Sequence, residues 1–459
     1  MALMSPTDSI FLLPETRDQP MHVGSLQLLH KPDGATADFL PELFQRLLAV
    51  DDVAPMFRRR AYRSVTTLGQ WAWQQDRDID LEHHVRHSAL PRPGRIRELL
   101  ALASRLHSTL LDRQRPLWEM HLIEGLDDDR FAIYTKVHHA MMDGVSALRL
   151  LSQSSAHSAD DLELRAPYLP IPDDDADHSE PHTGGGLLTS VPGMAVSAAS
   201  DLMGLGPATL RLAERTLREQ LTGPSTRAPR TILNGGITGS RRFAAQSWPL
   251  DRMRAVADAA SLRLNDVVLA MCAGALRDYL IDLDALPDTT LTAMVPVSLR
   301  GLGLDTSAGN AVGVIIAKLA TDDPDPAVRL AAIGDSMQDG KELLDGLSVL
   351  QVSALSALAM APLALSSVFG ANRLLAPPFN LVISNVPGPT EPLWWNGARL
   401  DAIYPMSIPV TGQALNITVT SYVDSMEFGL IGDRRSVPHL QRLLGHLDHA
   451  LSDLEGAVR

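Results

Sequence analysis

Apolar and polar positions alternate along the chain in two different rhythms. From Met21 to Leu29 they follow the two-residue period of a strand, whereas Phe39 to Val50 and Ile96 to Leu111 repeat at helical spacing. His121–Ile123 and Phe131–Val137 read as strands on either side of a turn at Gly125–Asp129, and Val145 to Leu151 begins another helix. In the second half, Asp251–Ala260 and Asp266–Tyr279 have helical spacing. Leu291–Val297, Val312–Leu319, Asn380–Ser384, Leu415–Tyr422 and Glu427–Ile431 read as strands. Pro438 to Leu454 reads as a closing helix with its proline in the first turn. Repeated mixing of both periods predicts an α/β or α+β sandwich and argues against a helix bundle.

Between the two halves the pattern changes. Asp160-Asp161 and the run Pro170 to Asp177 make an acidic, proline-rich linker. Gly184–Gly186 and an apolar stretch from Leu187 to Leu210 follow, and Pro192, Gly193, Asp201, Gly204 and Gly206 interrupt that stretch too often for a membrane span. It reads either as a helix lying on a membrane or as a helix crossing between domains. The expected organisation is therefore residues 1–152, a linker and crossover at 153–232, and residues 233–459. Gly346 to Asn372 carries no charge, but Gln351, several serines and Pro362 make it a kinked core helix in this reading.

Composition narrows the function classes. The chain has 459 residues, 45% hydrophobic and 20% charged, enough for a sizeable core. Net charge is −14, which leaves no electrostatic footprint for nucleic acid and requires any lipid contact to be local. Cys272 is the single cysteine, in an apolar run, so an inert buried thiol is expected and neither a disulfide nor a cysteine-based metal site. No basic region followed by an apolar run opens the chain, so a cytoplasmic protein is expected.

The sharpest chemical signal is Val137-His138-His139-Ala140-Met141-Met142-Asp143-Gly144, between a strand and a helix. Imidazole is the side chain best suited to accept a proton near neutral pH. A carboxylate four residues on, followed by the flexible Gly144, can hold the turn or orient a ring. From the residues alone, a general base, two structural histidines and a His/Asp metal site stay open. A second pair, His83-His84, lacks the Asp-Gly and is read as non-catalytic.

His138 to Gly144 resembles the His-His-x-x-x-Asp-Gly motif of the CoA-dependent acyltransferase superfamily, which includes chloramphenicol acetyltransferases, carnitine acyltransferases and peptide-synthetase condensation domains. Further segments resemble bacterial wax ester synthases/acyl-CoA:diacylglycerol acyltransferases, the mycobacterial and actinobacterial members especially. These are Ser5–Asp8 with Pro20–Gly24, Pro116–Glu119, Leu264–Ala270, Val295–Arg300 with Gly309-Asn310, Ser384–Pro389 and Leu415–Ile417, in the family's order. Ala140-Met141-Met142 is an apolar variant of the motif's middle.

The resemblance implies two chloramphenicol-acetyltransferase-like domains, each a mixed sheet with flanking helices, and an active-site channel between them. It implies that His139 accepts the proton of an acceptor hydroxyl, which attacks the acyl-CoA thioester without an acyl-enzyme. His138 and Gly144 complete the motif, and Asp143 is expected to be structural. Asn265 is a candidate oxyanion donor or a helix cap. Ser298 and Asn385 are further candidates, Asp266 is expected near substrate, and Pro116, Leu117 and Trp118 shape either the acyl pocket or the fold. Arg58–Arg60 and Arg241-Arg242 are the basic clusters available to CoA phosphates. The implied partners are long-chain acyl-CoA, diacylglycerol or a long-chain alcohol, and a peripheral membrane or lipid-droplet surface. No cofactor or metal is expected. Acylation of another lipid alcohol, or acyl-CoA binding without turnover, stays open as an alternative.

Overall fold

The computed structural model describes residues 2–67, 69–171, 228–298, 312–347, 351–352, 355–356 and 377–459. The acidic run from residue 172 to 177, the stretch Leu187–Leu210, Arg300, Gly309-Asn310 and most of Gly346–Asn372 lie outside the described residues.

Two six-stranded mixed sheets form the frame. In the first, β2 (His22–His30), β5 (Val85–Ala89), β6 (Trp118–Glu124), β7 (Arg130–His138), β12 (Trp394–Trp395) and β13 (Ala398–Met406) run in the order β12-β13-β2-β7-β6-β5. In the second, β8 (Arg241–Pro249), β9 (Thr292–Ser298), β10 (Val312–Lys318), β11 (Leu381–Val386), β14 (Leu415–Tyr422) and β15 (Ser425–Asp433) run in the order β10-β9-β11-β14-β15-β8. A small antiparallel sheet of β1 (Ala2–Leu3), β4 (Trp71–Gln75) and β3 (Arg59–Arg63) lies beside them. The mixed α/β expectation therefore holds.

Strands β2 and β7 are central and pair antiparallel, with His22 opposite His138, and most of their residues are buried and none is exposed. This register places the two motif histidines at the end of the central strand pair. The first sheet is completed from the second half of the chain, because β13 pairs with β2 from Arg399↔His30 to Met406↔Gly24.

Helices cover the sheets: α1 (Pro6–Ser9), α2 (Phe39–Leu48), α3 (Leu81–His84), α4 (Ile96–His107), α5 (Gly144–Gln153), α6 (Leu250–Ala260), α7 (Leu264–Asp282), α8 (Pro326–Leu344) and α9 (Arg442–Ala457). Helix α7 is apolar all round from Val267 to Leu276 and is buried between α8, α9 and the second sheet, as an unstriped apolar helix must be. None of the described helices alone is long and apolar enough to cross a membrane.

Helix α4 joins the halves. Leu99, Ala103 and His107 face inward at helical spacing. The exposed edge of β8 would leave backbone N–H groups unpaired. Instead, Ser104 Oγ accepts from Phe243 N–H and Ser108 Oγ from Arg241 N–H, both at 2.9 Å. Gly429 on β15 lies where an added Cβ would come within 1.8 Å of the Pro405 carbonyl on β13, so the sheets meet only because that position has no side chain.

Three sequence readings are adjusted. Helix α9 starts at Arg442, because His439 takes a left-handed φ of 56° and breaks the chain after Pro438. Arg241 is buried, lies 3.6 Å from Asp433 and donates to the Asp18 carbonyl at 2.7 Å, so it ties the fold together and is not free to meet CoA. Arg58–Arg60, read as a cluster available to CoA phosphates, are half-buried where the chain enters β3.

Candidate active site

Two backbone carbonyls hold the His138-His139 pair. Leu117 O accepts from His138 N–H and Met21 O from His139 N–H, both at 2.9 Å. The Pro-Leu-Trp and Pro-Met-His-Val-Gly segments thus hold the motif from behind. Trp118 itself is core: its ring stacks on His84 at 4.5 Å and on Tyr168 at 5.2 Å, and its indole N–H donates to Phe57 O at 2.8 Å. Pro116 and Leu117 are buried beside it, so of the two roles open to this triplet the geometry favours shaping the fold. His84 is structural as well, its Nδ1 lying 2.8 Å from Trp118 O.

His138 is fully buried. Its Nδ1 accepts from Ala140 N–H at 3.0 Å, which assigns the proton to Nε2, 3.3 Å from Glu15 Oε1. Glu15 also accepts from Met21 N–H at 3.1 Å through Oε1. Its Oε2 lies 2.9 Å from Arg113 Nε and 2.8 Å from Nη2. Burial alone would raise the Glu15 carboxyl, but His138, Met21 N–H and Arg113 outweigh it and hold it below the ordinary range. Glu15 therefore binds both His138 and the residue whose carbonyl seats His139.

His139 is placed differently. It is only partly buried, and Phe11 stacks on its ring at 3.9 Å and 21°. Nδ1 is buried and lies against the residue's own carbonyl without the geometry of a hydrogen bond, and among the described residues none forms a hydrogen bond with Nε2. Burial lowers its pKa below 6.5, opposed by the nearby Asp143 carboxylate. The ring is therefore neutral at pH 7, with Nε2 free of hydrogen bonds to the described residues, as a general base requires.

Asp143 caps α5, its Oδ1 accepting from Ser146 N–H at 2.7 Å. Gly144 follows as the first residue of that helix, with open space around it. Asp8 lies close enough to Asp143 to feel its charge, and burial followed by that repulsion raises its carboxyl despite a hydrogen bond with Ser5.

In the second half the structure joins two sequence candidates. Asn385, at the end of β11, donates from Nδ2 to Asn265 Oδ1 at 3.2 Å. Asn265 is not the cap of α7: Arg263 is, and Asp266 Oδ2 accepts the Arg263 N–H at 3.1 Å. Asp266 is thereby turned into the fold, its carboxyl raised by burial. The asparagine pair keeps Asn265 N–H donors for another acceptor. Ser298 ends β9, in register with Val312. Gly388, in the loop that follows β11, would drive a Cβ to 2.0 Å from Ser421 O, which explains the glycine there.

Among the described residues no cluster of histidine, cysteine and carboxylate side chains could hold a metal. Cys272 is buried and its thiol is pushed up to about 12, so it is not a nucleophile. A cavity of about 490 Å³ beside Val50 and Ile171 includes Asp51, Asp52 and Glu163 in its lining and no motif residue, a poor match for polyanionic CoA.

Comparison with known proteins agrees with this geometry. The family model described as wax ester synthase/diacylglycerol acyltransferase catalytic domain matches residues 4–268, and that of the WS/DGAT C-terminal domain matches residues 308–455. The chain belongs to the wax ester synthase/diacylglycerol acyltransferase family. A Mycobacterium tuberculosis relative named as a diacylglycerol O-acyltransferase is 52% identical over 455 residues, covering 99% of this chain and 100% of its own. The solved wax ester synthase/diacylglycerol acyltransferase of Marinobacter aquaeolei VT8 is 43% identical, with a TM-score of 0.80 and full coverage of both chains. The starter condensation domain of rhizomide synthetase, 14% identical, has a TM-score of 0.58 over 100% of this chain and 94% of its own, and attests to the chloramphenicol-acetyltransferase-like fold.

Within this family framework, sequence reasoning missed Glu15, Arg113, Phe11 and Asp8. Glu15, Phe11 and Asp8 meet the motif across more than a hundred residues, and Arg113 joins it only through Glu15. The one local signal was Glu15 itself, an acid directly after the apolar run Ile10–Pro14.

Proposed function

We propose that this chain transfers an acyl group from long-chain acyl-CoA to the free hydroxyl of diacylglycerol, making triacylglycerol, with His139 as the general base. The observation that carries the reading is the neutral His139 ring, whose Nδ1 is buried while Nε2 is engaged by no hydrogen bond among the described residues. Nε2 takes the hydroxyl proton as the oxygen attacks the thioester carbonyl. The tetrahedral intermediate then expels the CoA thiolate, which recovers the proton from His139. Hydrogen-bond donors stabilise the intermediate's oxygen, a role open to the Asn265–Asn385 pair. No redox change and no cofactor enter this balance. Asp143 stabilises the imidazolium that forms and holds the start of α5. A long-chain alcohol fits the same chemistry as a second acceptor, and the name of the Marinobacter relative favours including it. Both acceptors reside in lipid, so the protein works at a membrane or lipid-droplet surface on the cytoplasmic side.

The test is release of free CoA thiol from palmitoyl-CoA with diacylglycerol or hexadecanol as acceptor. His139→Ala should lose about 10²-fold or more in kcat. Undiminished turnover by that variant would remove His139 as the base. Inactivity of the wild type with both acceptors would leave another lipid alcohol, or acyl-CoA binding without turnover, as the function.

A further inference from the structure

From Val53 to Gln75 the chain carries four arginines, Arg58, Arg59, Arg60 and Arg63, and no carboxylate, although the protein's net charge is −14. This is the segment that forms β3 and β4. Among the described residues none of these arginines forms an ion pair. Arg58 donates to Val53 O and Asp51 O, Arg60 to Gln114 O and Gln74, and Arg63 to Gly69 O. Tyr62, Trp71 and Trp73 are interleaved and half-buried. Arginine with tyrosine and tryptophan is the side-chain chemistry of a membrane–water boundary.

Exposed apolar side chains lie on this sheet and beside the motif. Eight large hydrophobic residues stand out as exposed among the described residues. Five of them surround this sheet or the motif. Val65, 90% exposed, is at the β3–β4 turn, and Leu3 lies on β1; Ile10 and Leu13 (63%) flank Phe11, and Val145 follows Gly144. The sheet is coupled to the catalytic loop. Met4 N–H donates to Trp71 O at 3.0 Å, Met4, Leu12, Ala61, Leu117 and Ala140 form one buried cluster, and Phe11 stacks on His139.

We propose that the three-stranded sheet and the Ile10–Leu13 segment form the face by which this protein sits on an anionic lipid surface. Val65 and Leu13 enter among the acyl chains, and Arg59 and Arg63 meet headgroup phosphates. The acidic remainder of the molecule is repelled by the same surface, which orients it. The His139 loop is then held next to the layer in which a lipid alcohol presents its hydroxyl. The docking rests on the acyl-transfer reading only for its purpose; the surface stands on charge and exposure.

The experiment is flotation of the full-length protein with phosphatidylcholine vesicles, with and without phosphatidylglycerol. It is paired with turnover of hexanoyl-CoA and hexanol, both dissolved. Wild type should float with the anionic vesicles, less so as salt rises. The double variant R63E/V65D should bind them at least about tenfold more weakly, while its soluble turnover and melting temperature stay at the wild-type level. The control double variant I281D/V328D should float as wild type does.

Vesicle binding by R63E/V65D equal to wild type, or an equal loss in the control, overturns the proposal. So does loss of soluble turnover by R63E/V65D, which would assign the arginines to CoA phosphates. A wild type that turns over dissolved substrates but never floats overturns the docking and leaves acyl transfer standing. A wild type that floats, loses flotation in R63E/V65D and turns over neither the dissolved substrates nor palmitoyl-CoA with diacylglycerol or hexadecanol supports the docking and sinks the triacylglycerol reading.

Discussion

His139 is under two opposing influences. Burial under Phe11 drives its pKa below 6.5, and the Asp143 carboxylate pulls it back up. Only the deprotonated ring can act as a base, so kcat/KM should hold steady at pH 7 to 8 and fall on an acid limb below pH 6.5. Asp143→Asn separates the two roles of this residue. Asparagine caps a helix as well as aspartate does, so α5 should keep its start and the melting temperature should change little. Losing the charge removes the influence that raises the His139 pKa, so the ring stays deprotonated to lower pH and the acid limb moves down. The plateau rate should drop about tenfold, because the imidazolium loses its nearby carboxylate. A pH–rate profile of the variant checks this: an acid limb that stays in place or moves up would mean that Asp143 does not act on His139 electrostatically.

At the scale of the elements, the first sheet and the helices α3 and α4 carry several buried histidines that the reaction does not use. His22 Nε2 lies 3.0 Å from His107 O, His107 Nδ1 2.9 Å from Tyr134 Oη and His107 Nε2 3.2 Å from Ser407 O, linking β2, α4 and the end of β13. Burial lowers the pKa of His22, His121, His84 (to about 4) and His107 (to about 3). In the unfolded chain these rings titrate at 6.5. The folded pKa is thus depressed, so stability is complete above pH 6.5 and is lost as pH falls toward 4 and 3. Each ring held neutral costs up to about 1.4 kcal/mol per pH unit in that window. Glu119, held at about 2 against Lys136 and His121, adds its loss only below its ordinary value of 4.5. The melting temperature should therefore fall steadily between pH 7 and 5, above the ordinary carboxylate range, and a flat profile there would contradict the neutral-histidine assignment.

The same elements show what the sequence carried. Strands β2 and β7 and helix α7 were legible because their apolar residues repeat over many positions, and the His-His motif because its spacing is local. Strand β3 was hidden because its residues, Arg59-Arg60-Ala61-Tyr62-Arg63, read as charge, and β13 because a register shift between Leu400 and Ala402 breaks its alternation. The partners of the site were illegible for a different reason. Nothing in the period of Ile10–Glu15 states that Glu15 will meet His138 or that Phe11 will stack on His139; only the completed sheet brings them together.

For the whole molecule, the decisive contact is where the two sheets touch. Strand β13 pairs with β2, β2 pairs with β7, and β7 ends at His138, so any shift of β13 is carried to the catalytic loop. Its seat on the second sheet is Gly429, where a Cβ would meet Pro405 O at 1.8 Å. A backbone carbonyl cannot rotate away as a side chain can, so Gly429→Ala must push the sheets apart. The expected cost is at least about 1–3 kcal/mol of stability. Because the displaced strand leads to His139, kcat should fall as well. Gly445 is the matched control: it lies within α9, where an added Cβ meets nothing within 4 Å. Gly445→Ala should be neutral or raise stability by up to about 1 kcal/mol, since alanine is the better helix former, with kcat unchanged. Thermal melts and turnover of the two variants decide the matter together. If Gly429→Ala melts lower yet keeps full kcat, the junction is only structural. If both variants behave alike, the sheets are not held at Gly429, and the route from β13 to His139 would have to run through α4 and the serine hydroxyls that cover β8.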